Sequence, residues 1–125
     1  DKHSTMVRLW SYQGMYPVAE IRNATYQQVE KALGTLAETL PGGWLSDQVW
    51  VTLNSNLRSS VYLKNALVTT YKYKPLVGII EMIDPRGKST YYDYDVHGRL
   101  KEIYIIEGGI KKLLQENEYK YYNEK

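Results

Sequence analysis

The sequence contains no cysteine and no phenylalanine, and it has only two histidines and four prolines in 125 residues. The absence of cysteine excludes disulfide bonds and thiolate metal sites. With His3 and His97 as the only histidines, we expect neither a zinc site nor any other cofactor. No apolar run approaches the roughly 18 residues of a membrane-spanning helix, so we expect no membrane span.

A block of charge of one sign is also missing. The chain carries 16 basic and 14 acidic residues, a net charge of +2, and the two signs are interspersed. Nucleic-acid binders usually have a clustered basic face. Here the basic residues cluster only at Lys111 with Lys112 and at Lys72 with Lys74. We therefore expect no nucleic-acid partner.

Tyrosine is abundant, with 13 copies, beside three tryptophans. Tyrosine is an aromatic residue with a polar end, so this composition favours half-exposed sheet faces over one deep apolar core. The length predicts a single domain over residues 1–125, which can bury roughly two-thirds of the surface of its unfolded chain.

In the first half of the chain, the spacing of apolar residues changes from a strand pattern to a helical pattern. Residues 5–22 alternate as a β-hairpin, with Pro17 at the start of its second strand or at an edge. Residues 23–63 predict an inserted helical hairpin. Its first helix runs to Leu40, with a capping box at Thr25 and Gln28, and its second begins at a Ser46 cap. The second helix should bury a stripe made of Val49, Leu53, Leu57 and Val61.

Residues 66–125 have a period of two, with Asp-x-x-Gly turns at 84–87 and 95–98. Sequential strands with tight turns form an antiparallel meander. The predicted fold is therefore α+β: a meander of five to seven strands with the helical hairpin packed on one face. A Tyr-x-Tyr pair recurs in the strands and ends at Tyr73, Tyr94 and Tyr121, at offsets of 21 (94 − 73) and 27 (121 − 94) residues. Such punctuation indicates a repeat.

The stretch YYDYDVHGRLKEI, residues 91–103, resembles a YD repeat, the unit of the Rhs family. Residues 69–95 and 9–26 resemble the segments that precede such a unit in large Bacteroidetes surface or secreted Rhs-like proteins. Asp84 and Gly87 form the same kind of turn one strand earlier. The Tyr-x-Tyr-Asp-x-x-Gly-Arg-Leu core of the family is matched by Tyr92, Tyr94, Asp95, Gly98, Arg99 and Leu100.

The resemblance implies a scaffold. YD repeats build a spiralling β-sheet, which encloses a cargo domain in toxin systems and serves as an adhesive or carbohydrate-associated scaffold at cell surfaces. It implies a non-catalytic terminal segment of an exported protein, extracellular or at the cell surface, whose partners are the neighbouring repeats of the same chain. A segment of an array has unpaired edges, so we expect residues 66–74 or 116–122 to seek a second copy. Leu100 should point to the core.

Two catalytic or metal-binding interpretations compete with a purely structural one. Asp84, Asp93 and Asp95 suggest a Ca²⁺ loop, but the ligand spacing of such loops is missing and turn capping explains Asp95. Ser89, His97 and Asp95 could compose a hydrolase triad, but no nucleophile elbow surrounds Ser89. An enzyme at the tip of a toxin is therefore the weakest alternative.

Carbohydrate binding is the stronger alternative function. Exposed aromatic rings stack on sugar rings, and Trp10, Tyr12 and Tyr16 lie close together in the sequence. Arg99 completes this candidate platform if it recognises an anionic or sugar ligand. Its structural alternative is to lie across neighbouring tyrosine faces, and a motif repeated for architecture favours that alternative.

Overall fold

The computed structural model describes residues 5–11, 14–39 and 45–119. One antiparallel sheet contains seven strands in chain order. The strands are β1 (Met6–Ser11), β2 (Tyr16–Arg22), β3 (Leu67–Lys74), β4 (Gly78–Ile83), β5 (Ser89–Tyr94), β6 (Leu100–Glu107) and β7 (Ile110–Glu116). Between β2 and β3 lie α1 (Tyr26–Leu33), α2 (Leu36–Thr39), α3 (Asp47–Ser59) and a 3₁₀ helix (Val61–Leu63). The predicted α+β meander with a helical insertion is confirmed.

The first helix begins where the sequence predicts but ends early. The Thr25 hydroxyl accepts from the backbone N–H of Gln28, and the Gln28 side chain accepts from the N–H of Thr25, which completes a capping box. The helix ends at Leu33 because Gly34 takes a φ of 61°, in the left-handed region. The prediction of one continuous helix to Leu40 is wrong, and Leu40 lies outside the described residues.

The second long helix begins at the predicted cap, where the Ser46 hydroxyl accepts from the N–H of Val49. The predicted stripe is only partly right, because Val61 is 71% exposed. The α-helix ends at Ser59 and the chain tightens into the 3₁₀ helix, so Val61 leaves the α-helical phase. The residues of α3 that are buried are Trp50, Leu53, Asn54 and Leu57.

The helices cover one face of the first three strands only. The buried cluster draws on β1, β2, β3, α1, α3 and the 3₁₀ helix, and its centre includes Ile21, Val29 and Leu53. Every residue of β4, β5, β6 and β7, all of which the structure describes, is half-buried or exposed. The C-terminal half of the sheet is therefore a single layer. Leu100 is half-buried and lies outside the buried cluster, so its predicted core position is wrong.

A buried polar network fixes α3 on the sheet. Arg58 donates to the carbonyl oxygens of Ile83 and Asp84, each at 2.9 Å. It also donates to the Thr70 hydroxyl and to the Asn54 side chain, each at 3.2 Å, and both of these residues are buried. Burial lowers the pKa of Arg58 and the charge of Asp84 opposes this, but a guanidinium stays charged. One cation thus joins α3 to the middle of β3 and to the end of β4.

The unpaired edges of the described sheet are β1 and β7. The sequence had suggested that residues 66–74 form a free edge. This is wrong, because β2 pairs with β3 through Ile21 and Val68. Pro17 is the second residue of β2, as expected for a strand start. The predicted last strand, residues 116–122, lies mostly beyond β7, and residues 120–125 are outside the described part. No helix in the described ranges has the length and apolarity to cross a membrane.

Candidate functional site

Six of the seven strands of the sheet form three copies of one two-strand unit. We call β1–β2 hairpin 1, β3–β4 hairpin 2 and β5–β6 hairpin 3. Each returning strand carries a one-residue bulge at the same place, next to the turn. Beyond the bulge, an aromatic residue of the outgoing strand pairs with the start of the returning strand. These pairs are Trp10–Pro17, Tyr73–Ile79 and Tyr94–Leu100.

A tyrosine hydroxyl joins each unit to the one before it. The Tyr73 hydroxyl donates to the Pro17 carbonyl oxygen at 2.6 Å. The Tyr94 hydroxyl donates to the Ile79 carbonyl oxygen at 2.7 Å. Burial, and then the neighbouring Tyr92, raises the pKa of Tyr94, so this hydroxyl keeps its proton as a donor. We call this contact the tyrosine clamp.

The third clamp identifies Tyr119 as the start of a further unit. Its hydroxyl donates to the Leu100 carbonyl oxygen at 2.7 Å, which is the position of Pro17 and Ile79 in the earlier units. The strand pairs give the same alignment. Thr70 pairs with Ala19, Tyr91 with Glu81, and Glu116 with Glu102. In each pair, the clamp tyrosine lies three residues after the first residue named. The offsets are therefore 21 (94 − 73) and 25 (119 − 94) residues. The sequence had assigned this position to Tyr121, which lies outside the described residues.

The two Asp-x-x-Gly turns have the same hydrogen bonds. Asp84 Oδ1 accepts from the N–H groups of Arg86 and Lys88, both at 2.9 Å. Asp95 Oδ1 accepts from the N–H groups two and four residues on, at 2.8 and 3.0 Å. These backbone donors, with Lys88 first for Asp84 and Arg99 first for Asp95, lower the pKa of both carboxyls. Each turn closes with a glycine at positive φ, 84° at Gly87 and 78° at Gly98.

The residue just before each clamp acceptor makes room for the next tyrosine or packs on it. A Cβ at Gly78 would lie 2.7 Å from the Tyr94 hydroxyl oxygen, so only glycine leaves the space. In the next unit Arg99 holds this position, and its guanidinium carbon lies 4.2 Å from the centroid of the Tyr119 ring. Arg99 also donates through Nε to Asp95 Oδ2 at 3.0 Å. Arg99 therefore adopts the structural arrangement considered in the sequence, across a tyrosine face.

The residues of the candidate sugar platform are not brought together. Trp10 lies on the edge strand β1 and is 45% exposed. Tyr16 stacks on Tyr73 with ring centroids 4.8 Å apart. Arg99 is at least four strand spacings from β1, or roughly 19 Å at about 4.8 Å per strand. Tyr12 lies outside the described residues. The structure thus separates Arg99 from the aromatic residues it was grouped with.

Asp84 is also separated from Asp93 and Asp95, the other two carboxylates of the suggested calcium loop. Asp84 precedes β5 and Asp95 follows it, so they cap turns at opposite ends of a strand about 20 Å long. Ser89 starts this strand and donates to a Glu81 carboxylate oxygen at 2.7 Å, far from His97 and Asp95. The described ranges contain no group of three or more His, Asp or Glu side chains placed to hold a metal ion.

Sequence reasoning missed Gly78 and Tyr119 as parts of the repeated unit. The signal that could have found Gly78 is its offset of 21 residues from Arg99 (99 − 78), equal to the offset between the first two clamp tyrosines. Nothing comparable marks Tyr119, because β6 and β7 are longer than β4 and β5 and shift the period. The chain matches no protein-family model, no curated protein and no solved structure.

Proposed function

We propose that the chain is a non-catalytic structural module, the terminal YD-repeat segment of a large exported scaffold protein at a cell surface or associated with a toxin. The tyrosine clamp carries this proposal. Three hydroxyls, from Tyr73, Tyr94 and Tyr119, make the same contact to equivalent positions of the preceding unit. A contact that only links successive units is useful in an array and has no evident use in an active site.

The motif that resembles a YD repeat supports the proposal residue by residue. Asp95 and Gly98 form the turn, and Tyr94 makes the clamp. Arg99 packs on the next clamp tyrosine, and the Leu100 carbonyl accepts from it. Tyr92 pairs with Ile103 on the adjacent strand. Every residue of the motif has a place in joining strands.

The position of Trp10 indicates how the array continues on the other side. Trp10 holds the place that Tyr73 and Tyr94 hold in the later units, but it lies on an edge and is 45% exposed. An indole can donate one hydrogen bond. We infer that a preceding unit would cover Trp10, as hairpin 2 receives Tyr94.

Duplication of one period tests the proposal. The period from β5 to β7 spans residues 89–113, because Tyr119 follows Tyr94 by 25 residues (119 − 94). We expect a variant with residues 89–113 repeated in tandem to fold with two additional strands. Its urea m-value should rise with the added surface buried on folding, and its strand content by circular dichroism should rise as well.

The matched control carries a scrambled insert of the same composition at the same place. We expect this insert to stay unpaired and to be cut quickly by protease. If the tandem and scrambled inserts give the same m-value and the same cleavage rate, the unit does not extend the sheet and the array proposal is wrong.

We also propose that the free β7 edge pairs with a second copy of the chain. All seven residues of β7 are exposed, including Ile110, Leu113 and Leu114. Both free edge strands, β1 and β7, run in the same direction. Strand β7 of one copy can pair antiparallel with β7 of another copy only when a two-fold axis relates the two copies. Sedimentation should reveal a dimer that Leu113→Lys, which places a charge on the exposed edge strand, weakens. A monomer at every concentration would contradict this pairing.

Carbohydrate binding is a second candidate, favoured by one cleft. A cavity of about 190 Å³ lies between β1 and α1. Two exposed aromatic side chains, Trp10 and Tyr26, line it, with Arg8 and Glu30 as polar neighbours. A glycan array with Trp10→Ala as the control variant tests this function. Binding that Trp10→Ala abolishes supports it, and an array without signal across bacterial and host polysaccharides contradicts it.

A further inference from the structure

A larger cleft lies on the helix side of the sheet, where the end of α3 and the 3₁₀ helix meet the turn between β4 and β5. Its volume is about 350 Å³, within the range of roughly 300–1,000 Å³ typical of small-molecule sites. Leu57, Leu63 and Val68 belong to its wall, and all three are buried. These three side chains form the base of the cleft but expose little surface to it, so the exposed wall of the cleft is mainly polar.

The rest of the wall is positively charged. Arg58, Lys64 and Arg86 line the cleft, and the described residues that line it include no carboxylate. The nearest acid along the chain is Asp84, whose Oδ1 already accepts from the two backbone N–H groups of its turn. Asp84 Oδ2 lies 3.9 Å from the guanidinium of Arg86. Three cations thus face the cleft beside one carboxylate that is committed to a turn.

These cations have donors to offer. Arg58 uses four of its five N–H groups on Asn54, Thr70, Ile83 and Asp84, which leaves one at Nη1. Lys64 is exposed at the rim. Arg86 has an 80% exposed side chain that can turn toward the cleft. The Arg58 charge is fixed by its network, so its field is present before any ligand arrives.

We propose that this cleft binds a small organic anion of about the size of a monosaccharide. Its carboxylate, sulfate or phosphate group lies among Arg58, Lys64 and Arg86, and its remaining atoms occupy the cleft above the buried Leu57 and Leu63. This site is independent of the proposed scaffold function, since it uses none of the clamp residues. It also differs from the aromatic cleft beside Trp10, which lies between β1 and α1 and has Arg8 as its one cation among the described lining residues.

Calorimetric titration of the whole chain with three probes tests the site. Glucuronate supplies a carboxylate, glucose 6-phosphate supplies a phosphate, and glucose is the neutral control of the same size. We expect saturable binding of at least one charged probe, weakened by salt, and no binding of glucose. The stronger of the two charged probes identifies the anionic group.

Variants at the rim separate this site from general charge attraction. Lys64→Gln combined with Arg86→Gln should raise the Kd by about tenfold, since exposed ionic contacts contribute modestly each. The matched control is Lys101→Gln combined with Lys112→Gln, which removes the same charge elsewhere and should leave the Kd unchanged. Arg58 is kept, because its loss would disturb the fold, and urea unfolding confirms that both double variants remain folded. The site does not exist if neither charged probe saturates, or if both double variants weaken binding equally.

Discussion

Gly78 and Tyr94 allow a direct test of the contact between hairpins 2 and 3. A Cβ at position 78 would lie 2.7 Å from the Tyr94 hydroxyl oxygen and 3.4 Å from Cζ. Gly78→Ala therefore forces the hydroxyl away from its acceptor, the Ile79 carbonyl. Tyr94→Phe removes the hydroxyl, and with it the closest of these contacts. The two substitutions should consequently not be independent.

The expected free energies follow from the geometry. Gly78 has a φ of 146°, which an L-residue rarely adopts, and the resulting strain costs roughly 1–3 kcal/mol in either background. Displacing the hydroxyl forfeits one hydrogen bond, worth about 1 kcal/mol net. Tyr94→Phe alone forfeits the same bond, also about 1 kcal/mol. Because the bond can be lost only once, the double variant should cost about 1 kcal/mol less than the sum of the single variants.

Urea unfolding of the four proteins, followed by tryptophan fluorescence, measures this cycle. Tyr91→Phe is the control, because Tyr91 lies on the same strand with its side chain on the other face, stacked on Tyr104. We expect Tyr91→Phe to be additive with Gly78→Ala. Additivity within about 0.3 kcal/mol for Tyr94→Phe as well would refute the contact.

Three further predictions concern turns. Leu76 is 90% exposed at a φ of 65°, so Leu76→Asn should raise the unfolding free energy by about 0.5–1 kcal/mol, and an unchanged urea midpoint would contradict this. Gly98→Val should cost at least about 1 kcal/mol at its φ of 78°, whereas Val96→Thr, at a 96% exposed position, should be neutral by thermal unfolding. Asp84 and Asp95 have lowered pKa values in the folded state. The stability that these carboxylates contribute is therefore present above their unfolded pKa of 3.8 and is lost as the pH falls through their folded pKa values. Replacing both by asparagine should flatten the loss of stability in acid.

The sequence predicts local features of the fold well. The caps at Thr25 and Ser46 and the glycine turns at 84–87 and 95–98 depend on residues close together in the chain, and all form as expected. The place of residues 66–74 depends on pairing across the helical insertion. Local pattern carries no information on that pairing, so the central position of β3 could not be read from it.

The repeated unit was predictable only in outline. The spacing from Tyr73 to Tyr94 revealed a period, but the bulge and the carbonyl acceptors belong to the backbone and leave no residue signature. Tyr119 was missed because the two strands before it, β6 and β7, are longer than β4 and β5. The network around Arg58 was missed because its acceptors are two carbonyls and two neutral side chains. Nothing in the sequence pairs that arginine with a charge.

The direction of the tyrosine clamp has a consequence for synthesis of the chain. Tyr73, Tyr94 and Tyr119 each close on a carbonyl that lies earlier in the sequence. A unit leaving the ribosome is therefore complete only when the tyrosine of the following unit has emerged. Since translation delivers the N-terminal part first, the sheet can grow in the order of translation, and each new hairpin fastens its predecessor.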